Sequence, residues 1–409
     1  MIRVGILHYA APPVVGGVES TIYHHARLLS KAGFQVDVLA GRGEEFHEQV
    51  AFHPIPEIDS NHPAVLEVGR ALAVGDLNEK FYQLRDRIVD KIRPILYGSK
   101  TCIVHNAITL HKNLALTAGL RLLSDEGATS FIAWCHDFAW QDNLYTPDLH
   151  PGYPWDLLRT PWPDVRYVVV SEHRRERLAE LLRLPEDGIQ VVTPGVDVFQ
   201  FLKLEPLTIR LVERLNLLEA DPLILLPSRI TRRKNIEFAI RAAAFIQRKK
   251  PKAILLVTGP PGPHNPKNLA YLERLQNLRS ELGLRDQVIF LYEFDEASQP
   301  LYLPDEVISD LYRLADVLFF PSTREGFGIP VLESGLARIP VIASDIPPFH
   351  ESAGELAEFF DPQGDPELAG RALLSRLDSD QAYMLRRRVL EHFTWQSIIH
   401  KQIIPILSS

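Results

Sequence analysis

The chain has 409 residues, 46% apolar and 23% charged, with 44 Lys and Arg against 52 Asp and Glu for a formal net charge of −8. This is the balance of an ordinary globular protein, which excludes a disordered, collagenous or coiled-coil chain and argues against nucleic acid as a main partner. The length exceeds what one core comfortably fills, so two domains of roughly 200 residues are expected, and two cysteines, Cys102 and Cys135, are too few for a disulfide scaffold and suit a cytoplasmic setting.

Short β-branched runs alternate with helical patterns along the chain, which is the signature of parallel βαβ units covered on both faces. The first run, Ile2–Tyr9, has no basic region before it and no small-residue cleavage site after it, so it reads as a strand rather than a signal peptide. It leads into Gly16 and Gly17, with a helix expected from Val18 or Glu19, a turn that presents backbone N–H groups to an anion. Further strands are expected at Phe34–Ala40, Thr101–His105, Ser130–Cys135, Tyr167–Ser171 and Gln190–Thr193. His105 and Asn106 close one of these runs and offer donors and acceptors for hydroxyls, and His136 closes the next. Between Trp140 and Asp164 lies a long loop carrying Trp140, Tyr145, Tyr153, Trp155 and Trp162. Such a loop either presents flat rings to a ligand or buries them beneath itself.

A turn cluster, Pro194-Gly195-Val196-Asp197, marks the expected break between domains. The second half repeats the plan with runs at Leu223–Pro227, Ala253–Thr258, Val288–Leu291, Val317–Phe320, Pro340–Ala343 and Ala357–Phe360, separated by helical stretches such as Ile236–Arg248, Leu269–Leu282 and Asp305–Arg313. Ligands of doubly wound sheets bind beyond the carboxyl ends of the strands, so two such sheets imply a cleft between domains. Arg229 lies two residues past a strand, and Arg232, Arg233 and Lys234 follow as either a cationic site or a solvated helix start. No apolar stretch reaches the roughly 18 residues of a membrane span.

The most informative stretch is Pro321-Ser-Thr-Arg-Glu-Gly-Phe-Gly-Ile-Pro-Val-Leu-Glu333. A strand runs into a loop with Gly326 and Gly328, and Pro330 stands near the first helical position, which together build an anion site at a helix start. Glu325 would stand beside a bound phosphate and Glu333 on the first helical turn, where carboxylates accept charge-assisted bonds from sugar hydroxyls or act simply as dipole partners. Asp378-Ser379-Asp380 imitates a metal-binding Asp-x-Asp, yet it lies between two charged helical patterns rather than at a strand end.

The pair Glu325…Glu333, inside Glu-Gly-Phe-Gly-Ile-Pro-Val-Leu-Glu, resembles the hallmark of the retaining family 4 glycosyltransferases of GT-B fold. Gly16-Gly17-Val18-Glu19, Ser228-Arg229, Lys234-Asn235, Thr258-Gly259-Pro260, Ala315-Asp316 and Phe393-Thr394-Trp395 fall in the family's order across nearly the whole chain. The resemblance implies two Rossmann-like doubly wound α/β domains facing across a cleft, with 1–197 binding the acceptor, 198–393 binding the nucleotide sugar, and about 394–409 crossing back to the first. It implies a nucleoside diphosphate sugar donor of the GDP-mannose or UDP-glucose type, no cofactor and no metal. Catalytic roles fall on His136, Glu325, Arg229 and Lys234. Donor contacts fall on Gly16, Gly17, Arg229, Lys234, Gly259, Glu325, Gly326, Phe327, Gly328, Ile329 and Glu333.

For the acceptor, the strand-end and loop positions Glu19, His105, Asn106, Trp140, Tyr145, Tyr153 and Trp155 are the candidates, and a small soluble sugar or polyol derivative is the expected partner, with peripheral membrane contact left open. The alternatives are a GT-B epimerase or phosphorylase and a non-catalytic sugar-nucleotide-binding scaffold. A nicotinamide dehydrogenase is disfavoured because no Gly-x-Gly-x-x-Gly is completed. Where the family has a turn glycine, this chain has Arg338, which must adopt negative φ or bear strain. The polar loop Gly262–Pro266 is longer than a minimal member needs.

Overall fold

In the computed structural model, which describes residues 2–263, 267–294 and 302–408, the chain forms two units, Met1–Val196 with Phe393–Ser409, and Asp197–His392. His264, Asn265 and Pro266 of the polar loop lie outside the described residues.

The first unit holds seven strands: β1 (Arg3–Ala10), β2 (Gln35–Arg42), β3 (Val50–Pro54), β4 (Thr101–His105), β5 (Ser130–Cys135), β6 (Arg166–Val169) and β7 (Ile189–Val191). They pair in parallel in the order β3-β2-β1-β4-β5-β6-β7. Side chains alternate across the sheet, so Leu7, Leu39, Cys102 and Val104 enter one core while Val4, Ile6, Val38 and Ile103 enter the other. Both faces are therefore apolar, as a doubly wound sheet requires. Strand β3 was not expected from the sequence. Its only buried residue is Val50, and it adds to the sheet edge beside Asp37, a buried carboxylate that binds Arg3 and accepts from His53 at 2.7 Å.

The helix Gly17–Lys31 illustrates how this unit is built. Gly16 caps it in extended conformation, Glu19 lies in its first turn where the dipole favours an acid, and Ile22, Ala26 and Leu29 repeat at helical spacing toward the sheet. The closing segment covers the same face. Trp395, Ile398, Ile399 and Ile403 join this core, Trp395 stacks on His24 at 5.2 Å between ring centroids, and Val196 and Thr394 form a bridge where the chain leaves and re-enters the unit.

The second unit holds β8 (Leu223–Leu226), β9 (Ile254–Val257), β10 (Val288–Phe290), β11 (Val317–Phe320), β12 (Val341–Ser344) and β13 (Glu358–Phe360), all parallel in the order β10-β9-β8-β11-β12-β13. The same alternation splits Val317 and Phe319 from Leu318 and Phe320 between two cores. The strand order reverses between β8 and β11, because the chain winds outward from β8 through β10 and then returns to β8's other edge. By the rule for open α/β sheets, the loops after β8 and β11 frame the ligand crevice of this unit. In the first unit the corresponding point falls between β1 and β4. Each unit is a Rossmann-like doubly wound domain.

Candidate active site

In the second unit the loops after β8 and β11 are joined directly. Thr323 donates its backbone N–H to the carbonyl of Arg233 at 2.8 Å, and Arg233 Nη1 donates to Glu325 Oε2 at 2.7 Å and to the carbonyl of Arg324 at 3.0 Å. Lys234 binds the other oxygen of Glu325 and lies over the Phe320 ring at 4.7 Å. The Lys234 and Glu325 side chains are 10% and 9% exposed, so this is a largely buried pair. Burial pushes the Glu325 carboxyl up, but the Lys234 hydrogen bond and charge outweigh it and hold the group below the ordinary glutamate range. Burial draws the Lys234 ammonium below the usual lysine value, with Glu325 opposing. Arg232–Lys234 is a short 3-10 turn rather than a solvated helix start, and Asn235, at φ 51°, turns the chain into the helix Ile236–Lys249. Arg229, on the same loop, is exposed and has no ion-pair partner among the described residues.

Two glycines are required here by geometry. A Cβ on Gly259 would lie 2.4 Å from the carbonyl oxygen of Ser228, so only glycine lets the end of β9 pass against the backbone of Ser228 and Arg229. Gly328 caps the helix Ile329–Ala337 at φ 100°, a conformation side chains rarely adopt, and its Cβ would strike Phe349 at 2.9 Å. Gly326 borders open space, while Phe327 and Ile329 are exposed beside the helix start, whose unpaired N–H groups and dipole suit an anion.

Glu333 lies on that helix and accepts a hydrogen bond from the Tyr312 hydroxyl at 2.5 Å. Tyr312 is buried on the helix Asp305–Leu314, and burial followed by the Glu333 contact holds its phenol protonated. The sequence reading missed Tyr312, since a tyrosine on an amphipathic helix reads as core. At the far end of the Glu333 helix, Arg338 takes φ 62°, so the departure from a turn glycine is carried as left-handed strain rather than avoided.

The first unit gathers histidines at the carboxyl edge of its sheet. His105 Nδ1 lies 3.2 Å from His136 Nε2, and His8 Nδ1 donates to the carbonyl of His105 at 3.0 Å, which fixes the His8 tautomer. The second nitrogen of His8 lies 4.0 Å from Glu19. A Cβ on Gly16 would meet only the carboxylate end of the flexible Glu19 side chain, which would have to move aside, and Gly17 has open space about it. Burial is the main cause that lowers the imidazoles of His25 to about 3 and of His136 to about 4, so both are neutral. With Nε2 engaged, His136 keeps Nδ1 as the ring nitrogen that can face a ligand.

Three expectations are corrected in this unit. His105 is fully buried, so it positions His136 rather than meeting hydroxyls. Asn106 is also buried, at φ 57°, and its side-chain oxygen accepts from the backbone N–H groups of His136 and Asp137 at 2.8 and 3.3 Å. Trp155 is 4% exposed in the core and its carbonyl accepts from the Trp140 indole, so it is a wall rather than a flat platform. Trp140 is half-buried beneath the Arg159 guanidinium at 3.9 Å, whereas Tyr145 is half-buried and Tyr153 exposed.

The Asp378-Ser379-Asp380 triplet is structural, with Asp380 capping the helix Gln381–His392 through Ala382 N–H at 3.0 Å. Among the described residues no group of three or more His, Cys, Asp or Glu side chains could hold a metal ion, and no helix is long and apolar enough to cross a membrane.

Two successive doubly wound parallel domains make up the GT-B fold. The model of the glycosyl transferases group 1 matches residues 210–389, that of glycosyltransferase family 4 matches 15–199, and the chain belongs to this family.

It is 26% identical to an uncharacterized glycosyltransferase of Methanocaldococcus jannaschii over 50% of this chain and 48% of that one. It is 24% identical to the mannosylglucosylglycerate synthase of Petrotoga mobilis over 79% and 74%, and 30% identical to the D-inositol 3-phosphate glycosyltransferase of Nocardia farcinica over 44% and 38%. The chain thus spans about half the length of the first relative. Among solved structures, sucrose-phosphate synthase from Thermosynechococcus elongatus is 18% identical over the whole of this chain and 99% of that one, with a TM-score of 0.38.

Proposed function

We propose that the protein is a retaining, metal-independent hexosyltransferase that moves a hexose from a nucleoside diphosphate sugar to a hydroxyl of a small soluble acceptor. The observation that carries this reading is the Glu325 carboxylate held between Lys234 and Arg233 beside the glycine-capped helix start. In this account Arg229 and Lys234 neutralise the diphosphate as it departs, when its charge grows and fixed cations stabilise it most. The N–H groups from Gly326 to Ile329 and the backbone at Gly259 receive the phosphates, Glu325 holds donor-sugar hydroxyls, and Glu333 grips the ribose. In the first unit, Gly16 and Gly17 offer N–H groups to an anion, and neutral His136 offers its ring to a sugar hydroxyl.

The acceptor attacks on the face the leaving group vacates, and the departing phosphate takes its proton. No metal is needed where cations and N–H groups meet the diphosphate. The donor is of the GDP-mannose or UDP-glucose type, bound by the second unit, and the first unit binds the acceptor. The relatives named for mannosylglucosylglycerate and D-inositol 3-phosphate support a hydroxyl-rich acceptor.

The test is a panel of labelled nucleotide sugars with nucleotide release and the anomeric configuration of the product followed by NMR. Transfer with the donor's anomeric configuration kept supports the reading. An inverted product refutes retention, and nucleotide sugars that are bound but never turned over refute catalysis.

A further inference from the structure

A cavity of about 290 Å³ lies in the first unit, between the helix Pro63–Ala73 and the loops that follow β4 and β5. Its volume is that of a small-molecule site. Leu72 and Trp155, both buried, give it an apolar wall, and Arg70, His111, Lys112 and Asp148 supply its polar groups. Arg70 and Lys112 are exposed and neither forms a salt bridge among the described residues, although the charge of Arg70 is felt at Glu67 and Lys112 Nζ lies 5.9 Å from the Tyr145 ring centroid. His111 packs against Tyr145 at 4.9 Å between centroids, and its Nδ1 is buried with no hydrogen-bond partner. Burial, opposed by Asp148 and aided by Lys112, lowers the His111 imidazole, so this ring is neutral and the lining carries two cations against one carboxylate, 2 − 1 = +1.

The cavity shares an edge of the sheet with His136. Lys112 ends the loop after β4, and its charge is felt at His8, whose ring bonds the carbonyl of His105, the partner of His136. Two unpaired cations over an apolar wall select a negative group, because a charge-assisted bond to each is worth more than a neutral one. The opposing Asp148 carboxylate can accept from a hydroxyl of the same molecule and repels a second anion.

We infer that this cavity receives an acceptor that is itself anionic, a hydroxyl-bearing molecule whose carboxylate or phosphate is held by Arg70 and Lys112 while a hydroxyl meets Asp148. The inference rests on the transferase reading and narrows its acceptor class. Neutral sugars leave both cations unmatched and are the poorer ligands.

Calorimetry on the full chain tests it with three probes that share one ring, glucuronate, glucose 6-phosphate and glucose, each with and without UDP or GDP present. At least one anionic probe is expected to bind at least tenfold more tightly than glucose, and the better anion identifies the head group as carboxylate or phosphate. Arg70→Gln and Lys112→Gln, both at exposed positions, are each expected to weaken that binding tenfold or more while nucleotide affinity changes less than twofold. Glucose binding as tightly as both anions, no anion binding at all, or an anion affinity untouched in the double variant would overturn the assignment. Hydrolysis of nucleotide sugar by wild type separates the two readings. Turnover with no anion site removes only this inference, and an Arg70- and Lys112-dependent anion site with no turnover removes the transferase reading and leaves the site.

Discussion

Arg233 Nη1 lies 2.7 Å from one oxygen of Glu325 while Lys234 holds the other, so a single carboxylate keeps two neighbouring cations in place on the loop after β8. The two cations are not equivalent. Arg233 is 44% exposed at its side chain and can be hydrated, whereas Lys234 is 10% exposed and depends on Glu325. Removing one partner of a buried pair leaves the other charge uncompensated, which is the costly case. Glu325→Ala is therefore expected to destabilise the second unit by about 3 kcal/mol. Adding Lys234→Met should recover most of that loss in chemical denaturation. If the double variant is no more stable than Glu325→Ala alone, the pair does not couple as described.

Tyr312 and Glu333 offer a test of nucleotide binding that leaves this pair alone. Glu333→Gln should cost roughly 1.5–3 kcal/mol in affinity for free nucleoside diphosphate, the scale of a bond to a charged group. Tyr312→Phe keeps the ring in the core but frees the Glu333 carboxylate, and a threefold to tenfold weaker affinity is expected together with a loss of roughly 1 kcal/mol of stability from the missing hydrogen bond. Unchanged calorimetric affinity in both variants would refute the ribose role.

Acid should weaken the first unit. His25 and His136 titrate near 3 and 4 in the folded chain against an ordinary 6.5. Between about pH 6.5 and pH 4 the unfolded chain takes up protons that the folded one refuses, so stability falls as pH falls, by up to about 1.4 kcal/mol per pH unit for each group. Urea unfolding at pH 7 and pH 5 checks the sign. A chain equally stable at both values would mean that these rings are charged or solvated.

At Arg338 the left-handed backbone costs roughly 1–2 kcal/mol that glycine would not incur. Arg338→Gly should raise stability by about 1 kcal/mol and leave nucleotide affinity alone, since the residue caps the far end of the Glu333 helix. A destabilised variant in urea unfolding would show that the side chain contributes more than the backbone costs.

The strands were legible because both faces of each sheet are buried, which writes continuous apolar runs such as Val317–Phe320 into the chain. Edge strand β3 escaped because its residues after Val50 are only half-buried or exposed, and its reason for existing is tertiary, the pairing of His53 with Asp37. The loops at the strand ends were legible through their glycines, although only the structure distinguishes Gly259 and Gly328, which a Cβ would jam, from Gly17 and Gly326, which have room, and from Gly16, where the Glu19 side chain could move aside. Side-chain direction at a strand end is what the sequence withholds. His105 and His136 close neighbouring strands in the same way, yet one points inward to full burial and the other stays half-buried. Likewise the aromatic loop sends Trp155 into the core and leaves Tyr153 exposed, a division set by packing that no local pattern encodes.

The central claim is that Glu325 acts on a nucleotide sugar without a metal. Release of nucleoside diphosphate from UDP-glucose and GDP-mannose, by wild type and Glu325→Ala side by side in EDTA, tests it most directly. The account predicts release from one donor by wild type despite the chelator, and a loss of roughly two to three orders of magnitude in turnover for the variant while nucleotide is still bound. Near-normal turnover by Glu325→Ala, or activity abolished by EDTA and restored by Mg²⁺, would contradict it.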